Sequence, residues 1–398
     1  MADALTALQL MDDCANYAVD CYIKSLANSL QLPCPLPVTS EEIPKGFLAE
    51  LRMLAYRASE AVQNPIELPW DNLTYGTAVG GQNGGNAAFE AALQEGFPPL
   101  EPVRVISDPA TIVDPRGEAI AWLLPNAITE ERQDQIAQTA PLLADALNAH
   151  PPKVPDPARA PKDPTAAWRN SEYLFAVEDR PLYFGRGSTT LSPAWMAQGL
   201  EGLLDPLYVS RDLAAKPGKA DSRRQLSAQA WIGENIELGL LLSSALAITH
   251  PEQYYETKQS LAILASHEPH SQHLQTWTFA FNVVTIIANR MTPLHRDRAS
   301  GARELYDVLF TLGGDRHTTL SLPGLGVRFQ YDSGAVALFS GSTHLHHVSP
   351  FVMEHLCIAC YSRPAVQAKL GRRHPQAPTV AGTMPEGWSE ALWRQRNY

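Results

Sequence analysis

The chain has 398 residues, with 31 Lys and Arg against 42 Asp and Glu, for a formal net charge of −11. That balance excludes a uniformly basic nucleic-acid binder, whose affinity rests on releasing phosphate counterions with Lys and Arg. A hydrophobic share of 45% with only 18% charged residues excludes a disordered chain and supplies a sizeable core.

The first thirty residues predict a helix, with Leu5, Leu8, Met11, Ala15, Ala18 and Ile23 at near-helical spacing until LPCPLPV stops it. A second helix is expected over Ser40 to Gln63, entered through a capping box of Thr39 and Glu42. Residues 65 to 115 are rich in Pro and Gly and read as loop or hairpin, with a short helix in AAFEAALQE. The glycines Gly80, Gly81, Gly84 and Gly85 lack the Lys and Ser/Thr of a phosphate loop, which argues against a nucleotide site. An amphipathic helix follows from about Thr129 to Ala149, then HPPKVPDPARAPKDP as an extended linker or surface loop.

After about Ser227 the composition changes. Helical material runs through Ala247 and again through Ser266, and then Thr276 to Ile287 is rich in β-branched and aromatic residues. From there to Tyr361 short strands alternate with turns at Gly313-Gly314-Asp315, Pro323-Gly324 and Asp332-Ser333-Gly334, which predicts a sandwich or jelly roll. The expected division is a mixed, mainly helical region over 1–155 and a β domain with helical support over 156–398, making the fold class α+β. No stretch approaches the run of about 20 apolar residues that a membrane span needs, and the N-terminus is acidic where a secretory peptide is basic. Five cysteines form a sparse, odd set that predicts free thiols and an intracellular, nuclear or cytoplasmic, protein.

The chemistry gathers in PLHRDRAS and GSTHLHHVSP. On a strand, His295 and Asp297 point to one face, so an imidazole and a carboxylate converge on one ion. A third nitrogen ligand from a distant strand completes a two-His, one-carboxylate triad with open positions for a substrate acid and dioxygen. His346 ranks first for that place; His344 shares its face and ranks second, and His347, on the other face, third. Taken singly, a His-X-Asp or an exposed histidine is usually no more than a solvated side chain.

With those residues in view, the stretch from Asn282 to Arg363 resembles the double-stranded β-helix core of Fe(II)- and 2-oxoglutarate-dependent dioxygenases, and within them the TET/JBP-like branch, whose fungal members have this layout. His346-His347-Val348-Ser349-Pro350 is similar to the H-x-V-x-P around the distal ligand, and RGEAIAWLLPNAITEERQDQI carries a weaker similarity. The resemblance implies Fe(II) held by His295, Asp297 and His346, oxygen activation through decarboxylation of an oxo-acid, and hydroxylation of a C–H bond. In that branch the bond is usually the methyl of a 5-methylpyrimidine in DNA, and ascorbate is a further cofactor to test.

One place departs from the pattern. Family members put an Arg at the start of the strand after the distal His, as a fork for the far carboxylate of 2-oxoglutarate, and that place holds His355. Arg363 lies about 26 Å further along at roughly 3.3 Å per residue, and Arg316 and Arg328 on neighbouring strands are the other candidates for the oxo-acid. The alternatives are 2-oxoglutarate held differently or another co-substrate.

Cys357 and Cys360 face opposite sides of one strand, which argues against a zinc or redox pair. Basic groups at Lys216, Lys219, Arg223 and Arg224, at Arg290, Arg296, Arg298 and Arg303, and at Lys369, Arg372, Arg373 and His374 are candidate phosphate contacts, although each alone is an ordinary solvated cluster. Tyr183, Phe184, Trp231 and Trp277 are candidate stacking surfaces for an extruded base, and Ser300, Tyr331 and Asp332 candidate substrate contacts. A small-molecule or protein hydroxylase is the second reading, favoured by the acidic balance. Oligomeric state is not legible.

Overall fold

A computed structural model describes residues 4–30, 43, 45–82, 86–154, 167–175, 182–196, 206–216, 218–298 and 301–384. In chain order the elements are α1 (Ala4–Leu30), α2 (Lys45–Gln63), β1 (Pro65–Glu67), α3 (Asn72–Val79), α4 (Ala87–Gly96), β2 (Arg104–Ile106), β3 (Ala110–Val113), β4 (Ala119–Leu124), α5 (Glu130–Thr139), α6 (Ala144–Asn148) and β5 (Gly187–Leu191). Three long helices follow, α7 (Arg223–Glu234), α8 (Ile236–Thr249) and α9 (Pro251–Ala265), then the short α10 (His270–Leu274). The C-terminal strands are β6 (Val283–Ala288), β7 (Thr292–His295), β8 (Asp307–Gly313), β9 (Thr319–Leu322), β10 (Val327–Gln330), β11 (Val336–Phe339), β12 (His346–Val348) and β13 (His355–Tyr361), closed by α11 (Pro364–Lys369) and α12 (Val380–Thr383).

Strands β6 to β13 pass back and forth between two sheets. One carries β11, β8, β13 and β6 side by side, the other β10, β9, β12 and β7, and every pairing among these eight is antiparallel. That is the jelly roll expected from the turn-separated strands, in the double-stranded β-helix form that the resemblance implies. The N-terminal segment extends both sheets: β1, β3 and β4 join the first beside β11, β5 joins it beside β6, and β2 adds to the second in parallel with β10.

The larger sheet is buried on both faces, and its period-2 sequence divides the side chains between two cores. Val308, Phe310 and Leu312 of β8, with Val336 and Leu338 of β11, face α1, α2 and α8. Ala337 and Phe339 of β11 face inward onto Leu320, Leu322, Val327 and Phe329 of the smaller sheet. Helix α8 is apolar all round and buried along nearly its whole length, as a helix enclosed by α1, α2 and α9 must be. Each such large apolar side chain contributes about 1.5 to 3 kcal/mol on burial.

Several expectations shift at their boundaries. The second helix begins at Lys45; Thr39 and Glu42, like LPCPLPV and the part of the Pro-rich stretch from residue 155 on, lie outside the described residues. The helix after Thr129 forms, with Thr129 accepting from the Arg132 N–H, but passes into a 3-10 turn at Ala140–Leu143 where Pro141 lacks the N–H to continue it. The segment 65–115 holds three strands and the unanticipated helix α3, whose N-cap Asp71 accepts from Thr74. The strand expected from Thr276 starts only at Val283; Trp277, Phe279 and Phe281 are buried in an irregular segment before it. Cys14, Cys21, Cys357 and Cys360 are free thiols. No single described helix is long and apolar enough to cross a membrane.

Candidate metal centre

The antiparallel register of β7 and β12 sets His295 directly opposite His346, with ring centroids 4.1 Å apart. Asp297 sits just past the end of β7, its backbone N–H donating to the Gly341 carbonyl at 2.8 Å. The Nε2 atoms of His295 and His346 lie 3.5 and 3.7 Å from Oδ2 of Asp297, and the three donor atoms fall within 4.8 Å of one another. Among the described residues this is the one grouping of His, Cys, Asp and Glu that could hold a metal ion.

Both imidazoles are set by the same local device. Nδ1 of His295 is 2.8 Å from the Pro293 carbonyl and Nδ1 of His346 is 2.9 Å from the His344 carbonyl, each two residues back. A carbonyl only accepts, so each Nδ1 carries a proton, and Nε2 is the nitrogen that faces Asp297 and is left for a metal. Burial, reinforced by His346, pushes His295 below the usual imidazole range. Burial alone would raise the Asp297 carboxyl, but its contacts with the two imidazoles outweigh that and hold it well below the usual carboxylate range. Two imidazole nitrogens and a carboxylate oxygen are a fitting donor set for Fe(II).

The surrounding side chains fix this geometry. Arg296, buried between the two ligands of the motif, donates through Nε to the Thr343 carbonyl at 2.8 Å and pairs both its terminal nitrogens with Glu90 of α4. It thereby ties the His295–Asp297 turn to the turn that leads into His346. Gly341 accepts from Asp297 and donates to Asp307 at 3.1 Å, and a β-carbon there would run into that carboxylate. Burial, with Asp297 nearby, raises the Asp307 carboxyl well above its usual range.

His344 is not among the converging donors: its ring stacks on Tyr75 at 5.4 Å, and neither ring nitrogen has a partner among the described residues. Burial pushes it down to about 3. His347 lies on the opposite face of β12, across from Ser321.

The oxo-acid candidates fall elsewhere. His355 is buried at the start of β13, with Nε2 2.7 Å from Thr311 Oγ1 and Phe351 packed at 4.8 Å, and burial lowers it to about 4. A neutral, occupied imidazole offers no charge to a carboxylate. Arg363 is buried with its guanidinium on the Met196 carbonyl and 4.6 Å over Trp195. Arg316 and Arg328 are exposed, Arg328 on a β10 position whose neighbours face the core.

A different arginine stands beside the centre. Arg290, in the link between β6 and β7, is buried, close enough to Asp297 for its charge to be felt, and lowered to about 10 chiefly by desolvation and next by Arg169. Its Nη1 donates to the Arg169 carbonyl at 3.1 Å, its face lies 5.1 Å over Trp168, and its Nε has no partner among the described residues. A desolvated guanidinium with an unused donor fits a carboxylate ligand. In the sequence it appeared only as one of several basic residues flanking the motif; nothing local announces that β6 buries it.

The other expected contacts are mostly structural. Trp231, Trp277 and Tyr331 are fully buried, Asp332 is exposed, and Ser300 lies outside the described residues. Tyr183 is exposed, with Phe184 packed beside it. Of the basic groups, Arg224 pairs with Asp212, Arg296 with Glu90, Arg303 with Glu118 and Arg372 with Glu256.

Residues 211–364 match the family model Tet_JBP, the oxygenase domain of the 2OGFeDO superfamily. The matched segment is that of a non-haem iron dioxygenase of the Fe(II)/2-oxoglutarate superfamily. Strands β6 to β13, with the three converging donors, all lie inside the Tet_JBP match. Among solved structures, the chain is similar to NgTET1 in complex with 5mC DNA, at 12% identity and a TM-score of 0.45 over 82% of this chain and 93% of that one. A 2OG-Fe(II) oxygenase family oxidoreductase from Burkholderia pseudomallei matches at 16% identity and a TM-score of 0.18, over 30% of this chain and 60% of that one. No curated protein matches the chain.

Proposed function

We propose that this dioxygenase hydroxylates the methyl group of 5-methylcytosine, or a related methylated base, in DNA. In this reading His295, Asp297 and His346 hold Fe(II), and Arg290 receives the far carboxylate of 2-oxoglutarate. The convergence of those three donors beside a buried arginine with an unused Nε carries the reading. Iron bound there would supply oxygen activation, with one oxygen atom going to the substrate C–H bond and the other to the succinate formed as 2-oxoglutarate loses carbon dioxide.

The chain's own residues do the rest. The paired Nδ1 contacts keep both imidazoles facing the ion. The Arg290 guanidinium neutralises and orients the oxo-acid in a setting where desolvation strengthens the pair. The methylated base reaches such a buried centre only by leaving the DNA stack, which costs a few kcal/mol and is offset by stacking and edge contacts. Tyr183, exposed near the Glu354 side chain that accepts from its N–H, is the aromatic best placed for this among the candidates above.

The DNA substrate is supported by the Tet_JBP match over residues 211–364, since that branch usually acts on 5-methylpyrimidines. A small-molecule or protein substrate is the second reading, favoured because Arg224, Arg296, Arg303 and Arg372 are committed to carboxylates in a chain of net charge −11. Incubation with Fe(II), oxygen and 5-methylcytosine DNA, with and without 2-oxoglutarate or ascorbate, followed by nucleoside mass spectrometry, tests the proposal. The expected result is an oxidised nucleoside that requires 2-oxoglutarate, with DNA affinity falling steeply as salt rises. No DNA binding even at low salt, with no oxidised nucleoside, would leave the second reading.

A further inference from the structure

The two carboxylate oxygens of Asp297 have different partners. Oδ2 faces the Nε2 atoms of both histidines, whereas Oδ1 accepts from Nη2 of Arg169 at 2.5 Å. Arg169 belongs to the short 3-10 turn Ala167–Asn170, outside residues 211–364.

That turn is held against the centre. Trp168 stands edge-on to His295 with ring centroids 4.8 Å apart, and the Arg169 and Arg290 guanidiniums lie 4.9 and 5.1 Å from the Trp168 ring. The backbone is anchored on both sides: Lys153 N–H donates to the Asn170 carbonyl at 2.7 Å, and Met291 N–H to the Leu174 carbonyl at 2.7 Å. Arg169 therefore reaches Asp297 from a fixed base, already stacked, and loses little freedom in making the contact.

We propose that Arg169 is a positioning residue that presents Asp297 to the metal through one oxygen only. A carboxylate binds an ion through one oxygen or two. An ion held by two imidazoles and a single carboxylate oxygen would keep open positions for a chelating oxo-acid and dioxygen, and a second carboxylate oxygen would take up one of them. A fork-to-fork arginine would engage both oxygens and compete with the ion, but the Arg169 hydrogen bond goes to Oδ1, and Oδ2 is the oxygen that faces the two histidines. The pair is partly exposed, with 37% and 31% of the two side chains accessible, so as an ion pair it adds little to fold stability. Its effect falls on the ligand instead.

This inference rests on the iron reading above, and the experiment separates the two. The full chain is titrated without oxygen with Fe(II), and then with 2-oxoglutarate, in the wild type and in Arg169→Gln, Arg169→Lys and Asp297→Ala. Metal binding is followed by calorimetry and the Fe(II)–oxo-acid complex by its visible charge-transfer absorption. In Arg169→Gln, the oxo-acid affinity of the iron-loaded protein is expected to fall about 10-fold or more. The absorption should shift, the metal affinity should hold or rise, and Arg169→Lys should restore part of the loss. Unchanged oxo-acid affinity and absorption in Arg169→Gln overturn the role of Arg169. Asp297→Ala binding metal as well as the wild type overturns the iron reading, and the inference with it.

Discussion

His295 and His346 are opposed residues on adjacent antiparallel strands, and each donates a hydrogen bond from Nδ1–H to the carbonyl two residues behind it. The metal centre is thus a property of strand register. A slip of one residue in β12 would turn His346 away and bring His347 forward, because side chains alternate faces.

Loss of any converging donor is expected to abolish stoichiometric metal binding. His295→Ala, Asp297→Ala and His346→Ala should contain no bound iron after reconstitution and desalting, while His347→Ala, altered on the other face of β12, should load like the wild type. Metal analysis of the four proteins beside their circular dichroism decides this; an Asp297→Ala protein with full iron would contradict the donor set.

The oxo-acid site is expected to follow Arg290. Arg290→Gln removes a charge-assisted contact worth about 1.5 to 3 kcal/mol, so KM for 2-oxoglutarate should rise by roughly 10- to 100-fold, with kcat less affected. His355→Arg, by contrast, puts a longer side chain between Phe351, Thr311 and Gly314. It should lower stability by about 1 to 3 kcal/mol through overpacking and give no gain in oxo-acid affinity.

Arg296 and Glu90 form a pair in which the arginine side chain is fully buried and Glu90 is 12% exposed. Arg296→Ala strands that carboxylate and frees the Thr343 carbonyl, with an expected loss of about 3 to 5 kcal/mol. The double change Arg296→Met with Glu90→Leu should cost much less. Denaturant unfolding of both proteins measures the difference; equal losses would mean that the pair is not coupled.

Acid should weaken the fold well above the carboxylate range. Burial lowers His250 and His355 each to about 4, against about 6.5 in an unfolded chain. As pH falls through 6.5 the unfolded state takes up protons that the folded state refuses, so stability is complete above that value and declines toward pH 4. At pH 5 each of the two accounts for about 2 kcal/mol. A denaturation midpoint unchanged between pH 7.5 and 5 would show that these imidazoles are not neutral in the core.

The sequence by itself determined the local chemistry. The H-x-D spacing put an imidazole and a carboxylate together, the turn punctuation marked out successive short strands, strand periodicity set His347 apart from His344 and His346, and the likeness of the segment 346–350 to H-x-V-x-P supported placing His346 first. Period-2 alternation likewise separated Cys357 from Cys360. Tertiary structure decided everything that depends on which distant groups meet. Arg290 and Arg363 are equally plain as arginines; only the packing of the Trp168–Asn170 turn over the β6–β7 link leaves the first beside the centre with a spare donor, while Trp195 and the Met196 carbonyl engage the second. The basic clusters looked available for phosphate until folding set Glu90, Glu118, Asp212 and Glu256 against them. Charge and ligand geometry are settled by contacts between residues far apart in the chain, and no local spacing encodes those.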